Sequence, residues 1–360
     1  MSPRHPYLGL PDRQMWKADP GLREPSLFDP VSEVPFRITA SDRIVTAGSC
    51  FAQHVGRRLA EAGFRHHVAE PAHPMFPEEI ARRFSYGVFS ARYGNVYTAR
   101  QLLQLLQRAH GLFRPRAEAW PLGPGGRVVD PFRPRIQPEG FVSAAELAAD
   151  REVHLAAVRA AVEAMDVLVL TLGLTEAWED AEDGAIFPLA PGVAGGAWEP
   201  EAVRFRNFDE AETWADLRAA IELVRERNPR VRIVLTVSPV PLNATWVPRH
   251  VAVSTAWSKA CLRIAAEKAA RHFEGCCYFP SYEVITSPHV RGRYYAEDGR
   301  EVLPEGVDHV MRLFLWHFAG VEAGAGAAKA PAGLAALNEH LAGMERRIEV
   351  LCDEEAIRNR

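Results

Sequence analysis

The chain has 360 residues, 48% hydrophobic and 24% charged, an ordinary globular composition that can bury one large core or two small ones. A net charge of −4 offers no basic stripe for a nucleic-acid backbone, and no stretch approaches the roughly 18 apolar residues of a membrane span. The cysteines, Cys50, Cys261, Cys276, Cys277 and Cys352, are odd in number and lack paired zinc spacing, which argues against a disulfide framework or a structural metal.

Residues 1–34 are rich in Pro, Arg and Asp with isolated aromatics, the composition of an irregular arm with Trp16 and Phe28 as its anchors. They lack the basic start and apolar run of a secretory signal, so the expected compartment is the cytoplasm. Residues 43–47 are apolar and partly β-branched, Gly48 permits a backbone that Cβ-bearing residues resist, and residues 52–59 have helical spacing. Ser49 and Cys50 therefore fall at a strand-to-helix turn, where unsatisfied amides and the helix dipole favour a thiolate or a developing oxyanion.

A second short strand is expected at 63–71, then helices at 77–84 and 98–110, the latter opened by a Thr98/Gln101 capping box. Residues 113–141, dense in Pro and Gly, read as a long ordered excursion, either a lid or an insertion. A helix at 143–165 runs into the apolar strand after Asp166, whose end carries Gly173, Thr175, Glu176 and Trp178 to the sheet edge that holds Ser49 and Cys50. A loop-rich stretch, helix 210–228, strand 231–238, helix 253–273, strand 276–279 and helix 305–318 complete the alternation. The expected fold is α/β, a doubly wound parallel sheet with helices on both faces. The Ala- and Gly-rich segment 323–332 resembles a linker, followed by a charge-laced helix through Cys352 that packs back or joins two copies of the chain. The expected division is an arm over 1–34, one domain over 35–321, and a linker with C-terminal helix over 322–360.

Gly48-Ser49-Cys50-Phe51-Ala52, together with FSARYGNVYTARQLLQLL (89–106), TLGLTEAW (171–178), LTVSPVPL (235–242) and YFPSYEVI (278–285), resembles the blocks of the GSCFA family over residues 35–320. That family is grouped with the SGNH, or GDSL-like, hydrolases, so the resemblance implies a flavodoxin-like fold and ester chemistry. Matching Gly48 to the Gly of Gly-Asp-Ser puts Cys50 in the nucleophile position, similar to polysaccharide-biosynthesis proteins with a Gly-Asn-Cys turn. A thiol there would carry the acyl group as a thioester. Ser49 is the alternative nucleophile. In the plainer reading Ser49 is an N-cap and Cys50 a small buried hydrophobe, as the other four cysteines are read to be.

The group's Asp-x-x-His falls on Asp298-Gly299-Arg300-Glu301, with Glu where His would stand. The general base is therefore open among His309, His54, one helical turn after Cys50, and His250. Oxyanion donors are expected from the Gly48-Ser49-Cys50 turn, from Gly94 and Asn95, and from Gly173. The group's Gly-x-Asn-Asp is here Gly173-Leu174-Thr175-Glu176, which makes Thr175 the replacement donor and Glu176 an acid/base, an orienting group or a plain ion-pair partner. Tyr93, Tyr97 and Trp178 are candidate platforms for sugar rings, and Arg92, Arg100, Arg133 and Lys259 candidate phosphate ligands.

The function these expectations compose is an SGNH-like acyl-ester hydrolase or acyltransferase. Its substrate would be a small molecule, a carbohydrate or a cell-surface polymer precursor. It would need no cofactor beyond an acyl donor such as acetyl-CoA, no metal and no nucleic acid, and its C-terminal helix could pair two copies. The competing class is a ligand-binding protein on the same scaffold, in which the altered blocks mark lost hydrolysis.

Overall fold

The structure, a computed structural model, describes residues 5–32, 34–320 and 352–358. In chain order, β1 (Ile44–Gly48) leads into α1 (Phe51–Glu61), followed by α2 (Glu78–Arg83), α3 (Ala99–Ala109), β2 (Trp120–Leu122), β3 (Arg127–Val129) and α4 (Ala144–Ala164). Next come β4 (Val167–Leu172), β5 (Glu176–Asp180), β6 (Ile186–Phe187), β7 (Val203–Asn207) and α5 (Glu210–Arg227). The succession ends with β8 (Arg232–Val237), α6 (Val251–His272), β9 (Cys276–Tyr278), α7 (Ser281–Thr286) and α8 (Pro304–Ala319).

The central sheet is parallel throughout, in the order β1-β4-β8-β9, with Gly48 opposite Thr171 and Thr171 opposite Thr236. Every residue of β1 and β4 is buried, because helices cover both faces of the sheet. One face packs on α3 to α6 through Leu102, Leu105, Val158, Ile221 and Leu262; the other packs on α1, α7 and α8 through Phe51, Leu59, Val284 and Phe314. The expected strand at 63–71 contracts to one parallel bridge between His66 and Ile44. Its side chains take over from the ladder, since His66 Nε2 lies 3.0 Å from Thr46 Oγ1 and 3.2 Å from Ser90 Oγ.

The stretch after β4, expected to be loop-rich, instead builds an antiparallel sheet in the order β6-β5-β7, next to the β2-β3 hairpin in the chain's long excursion. Buried ion pairs fix that excursion to the body. Arg133 reaches Asp130 at 3.0 Å and Asp150 at 2.8 Å, and Arg92 reaches Asp150 at 2.8 Å. Arg92 and Arg133 are therefore committed to internal carboxylates, and Arg100 to Asp216 at 2.6 Å, which removes all three as phosphate ligands. In the N-terminal arm Phe28 is buried and stacks on His289 at 4.4 Å, whereas Trp16 touches the same ring but stays 63% exposed. The linker and helix expected over 322–351 lie outside the described residues, and Asp353–Arg358 forms a short 3-10 turn. Among the described residues no helix is long and apolar enough to cross a membrane.

Four partly or fully buried histidines make the fold acid-sensitive. Burial pushes His66, His154 and His309 down to about 4 and, helped by Arg57 and Arg58, His54 down to about 3, from an ordinary value of 6.5. Between pH 6.5 and 4 the unfolded chain binds more protons than the folded one. The stability that these neutral rings contribute is thus complete above 6.5 and lost as pH falls toward 4. The urea midpoint should be flat from pH 7 to 8 and drop steadily from pH 6.5 to 4.5; a midpoint unchanged at pH 4.5 would contradict this.

Candidate active site

The corner after β1 is set by a glycine that only a glycine can be. Gly48 has φ +130, and a Cβ there would lie 2.1 Å from the Thr171 carbonyl oxygen on β4. The chain then turns so that Ser49 donates its amide to the Thr171 carbonyl at 3.0 Å, and Cys50 enters α1 with helical dihedrals. Ala52 and Gln53 close the first turn onto the carbonyls of Ser49 and Cys50, leaving the Cys50 and Phe51 amides as the donors with no preceding helical turn to bond.

Three other segments come to this corner. The loop after residue 93 bends at Gly94, φ +70, and Val96 donates to the Gly48 carbonyl at 2.8 Å. Gln101, three residues past the Thr98 cap, does not complete the expected capping box. Its Oε1 accepts from the Tyr97 amide and its Nε2 donates to the Asn95 carbonyl, both at 2.8 Å, so it braces the loop that presents Asn95. The end of β4 brings Gly173, whose Cβ, if present, would sit 3.0 Å from Ser49 Cβ. From α6 comes Lys259, 2% exposed, with Nζ donating to the Gly173 carbonyl at 2.8 Å. Desolvation lowers Lys259 to about 8 against the opposing pull of Glu354 and Cys50.

The fourth contribution comes from the end of the chain. Cys352, Asp353 and Glu354 are all buried here. The Cys352 thiol neighbours that of Cys50, and Arg300 Nη2 lies 3.4 Å from Cys352 Sγ and 2.8 Å from Glu354 Oε2. Asn95 Nδ2 donates to Asp353 Oδ2 at 2.9 Å, the Asp353 amide donates to the Tyr97 hydroxyl at 3.0 Å, and Asn243 Nδ2 donates to the Glu354 carbonyl at 2.8 Å. The neighbouring Cys50 thiol and the Arg300 guanidinium lower Cys352 below the usual thiol range, while the Cys352 sulfur, burial and the nearby negative charge push Cys50 well above it. Sequence analysis expects an acidic Cys50 and a packing Cys352. In this structure the Arg300 guanidinium lies beside Cys352 and favours negative charge on that sulfur, which in turn disfavours a thiolate at Cys50.

The candidate bases fall elsewhere. His309 is buried with Nδ1 2.7 Å from the Tyr294 hydroxyl, in surroundings set by Phe28, Asp29 and Arg312 of the arm and α8. His54 has Nδ1 3.2 Å from Arg57 and packs on Phe51, and His250 is exposed and caps α6 at the Ala252 amide. Asp298 Oδ1 accepts from the amides of Arg300 and Glu301 at 2.9 Å, a turn that aims Arg300 rather than Glu301 at the corner. Two expected donors are committed as well: the Gly173 amide goes to the Tyr97 carbonyl, and the Thr175 hydroxyl donates to Asn207 at 2.7 Å. Glu176 accepts from Thr245 Oγ1 at 2.6 Å and from the Trp246 amide at 3.2 Å.

Tyr93 and Tyr97 are buried and cannot serve as sugar platforms; Tyr93 bonds the Thr46 carbonyl in the core. Trp178 does meet water, packed edge-on against Trp198 at 5.0 Å and Trp246 at 5.3 Å, which are 41% and 63% exposed. Sequence reasoning names neither Arg300 nor Asn243 as a site residue, reads Cys352 as a packing thiol and offers Lys259 as a phosphate ligand, whereas in the structure Lys259 bonds the Gly173 carbonyl. Lys259 did carry a signal. It stands in register with Leu262, Ala266 and Ala269, so a lysine interrupts the buried stripe of α6.

Ser49 and Cys50 thus share a buried corner with Asn95, Gly173 and Lys259, at the carboxyl edge of a parallel sheet. No curated protein matches the chain. The model of the GSCFA family matches residues 43–314, most of the sequence, and the chain belongs to the GSCFA family.

Proposed function

We propose that the protein transfers or hydrolyses acyl groups through a thioester on Cys50. The observation that carries this is the corner itself, where a buried thiol stands at a helix N-terminus beside Asn95 and a lysine lowered to about 8. Counting the His66 bridge as the second strand, the order reads 2-1-3-4-5, which supports a flavodoxin-like, SGNH-type scaffold with its ligand crevice at this switch point.

Lys259, in place of a histidine, is the base in this reading. Its neutral amine takes the Cys50 proton as the sulfur attacks the acyl carbonyl, and the resulting ammonium returns that proton to the leaving alkoxide or thiolate. Water or an acceptor hydroxyl then attacks the thioester, passes its proton through Lys259 and releases Cys50. The Cys50 and Phe51 amides and Asn95 Nδ2 are the donors for the oxyanion. Ser49 is the weaker nucleophile here, since its buried hydroxyl has no hydrogen-bond partner to take its proton. The half-buried Trp178 with the exposed Trp198 and Trp246 favours a carbohydrate as the acceptor, with acetyl-CoA as one donor of the required class.

Cleavage of p-nitrophenyl acetate should fall at least about 100-fold in Cys50→Ala and in Lys259→Met, and stay within about threefold in Ser49→Ala. Rates should rise with pH toward 8 as Lys259 loses its proton, and that limb should vanish in Lys259→Met. Undiminished activity in Cys50→Ala would refute the assignment. Binding of a sugar without any turnover would favour the non-catalytic reading.

A further inference from the structure

The residues seated on Cys50 belong to the protein's own C-terminal segment, and their chemistry describes what the corner binds. We infer that Cys352–Glu354 is an intramolecular pseudosubstrate and that the pocket it fills takes an anionic acyl substrate, one bearing a carboxylate near its reacting carbonyl; this rests on the acyl-transfer reading above. Two carboxylates would ordinarily be found at the surface. Here Cys352, Asp353 and Glu354 are each under 8% exposed.

Every polar partner of this segment is a group that a substrate would need. Arg300 holds Glu354 Oε2 and Cys352 Sγ on one side and pairs with Glu355 on the other. Asn95, the oxyanion donor, is spent on Asp353, and Tyr97 accepts the Asp353 amide. Asn243 binds the Glu354 main-chain carbonyl at 2.8 Å and side-chain carboxylate at 3.3 Å, and Arg135 binds the Cys352 carbonyl at 2.7 Å. Were the segment withdrawn, Arg300, Lys259, Asn95 and Asn243 would face one cleft in which the Arg300 guanidinium has lost the carboxylates of Glu354 and Glu355. That is a receptor for an anion. The docked segment also silences the nucleophile, because the negative charge of Cys352 and Glu354 beside Cys50 holds its thiol protonated.

The test uses the full-length chain carrying Asp353→Lys and Glu354→Lys, which sets lysines against Arg135, Arg300 and Lys259 and should release the segment. Thermal melting and circular dichroism confirm that the variant is folded. p-Nitrophenyl acetate cleavage should rise at least tenfold over the parent chain. The acetylated peptide CDEEAIR should then inhibit the variant, glutarate should inhibit it at least tenfold better than butyrate, and Arg300→Gln in the variant should weaken peptide binding, read by fluorescence anisotropy, at least tenfold. If the variant is no faster than the parent and binds neither peptide nor glutarate, the inference fails, while loss of activity in Cys50→Ala would still uphold the acyl-transfer reading.

A second readout does not depend on the lysine variant or on turnover. Treating the parent chain with diamide should join Cys50 to Cys352: both thiols lose hydrogen, an S–S bond forms, and the N=N bond of diamide is reduced to a hydrazine. Peptide mapping that finds this disulfide, with the other three cysteines still alkylatable, supports docking. Equal alkylation of all five cysteines after diamide would overturn it.

Discussion

Gly48→Ala should leave the chain barely folded. The added methyl is called on to occupy space 2.1 Å from the Thr171 carbonyl oxygen and 2.8 Å from the Thr171 amide nitrogen, both backbone atoms of a central strand that cannot swing away as a side chain could. At φ +130 an alanine is itself strained by about 1–3 kcal/mol, and displacing packed backbone adds roughly 1–3 kcal/mol. Together these remove a large part of the ~5–15 kcal/mol that holds a domain folded. The change would separate β1 from β4 at the point that positions Ser49 and Cys50, so activity should go with stability. Gly94→Ala is the control, since φ there is +70 but no atom lies within 4 Å of the new Cβ. It should cost only the local strain, about 1 kcal/mol. Urea unfolding followed by circular dichroism separates the two: a large drop in midpoint for position 48 and a small one for position 94. Equal midpoints would contradict the close approach at Thr171.

Arg133→Met should be the most damaging single change outside the Gly48-Ser49-Cys50 corner. Asp130 is fully buried and its carboxyl is held far below the usual range by Arg133, Arg151 and Arg108 against a large desolvation cost. Removing Arg133 leaves Asp130 with weaker compensation and takes one of two guanidiniums from Asp150, which predicts a loss of about 3–5 kcal/mol. The mechanism has its own signature. Asp130→Asn placed in the Arg133→Met background should recover part of the loss, because the uncompensated charge and not the missing hydrocarbon is what destabilises. Additive effects in this double-mutant cycle would assign the cost to packing instead.

The parallel sheet was legible because β1, β4 and β8 are covered on both faces, so their sequences are continuous apolar runs with no polar alternation to confuse them. Residues 63–71 were not, because a single bridge and side-chain bonds from His66 fix that segment without a ladder. The corner at Gly48-Ser49-Cys50 could be read from local chemistry alone, since turn, glycine and helix start are adjacent in the chain. What completes it could not. Arg300 looks like one more surface arginine until Asp298 turns it inward, and Cys352 is separated from Cys50 by almost the whole chain. The histidines were illegible for a related reason. In the structure His309 Nδ1 is turned to the Tyr294 hydroxyl and His250 caps the start of α6, contacts that their positions in the chain do not announce.

The central claim is that Cys50 carries the acyl group. The most direct measurement is the mass of the protein acid-quenched seconds after mixing with p-nitrophenyl acetate, followed by peptide mapping of the adduct. The predicted result is one acetyl group, labile to hydroxylamine, on the peptide containing Cys50 and absent in Cys50→Ala. An acetyl group found on Ser49, or an adduct undiminished by Cys50→Ala, would contradict the account.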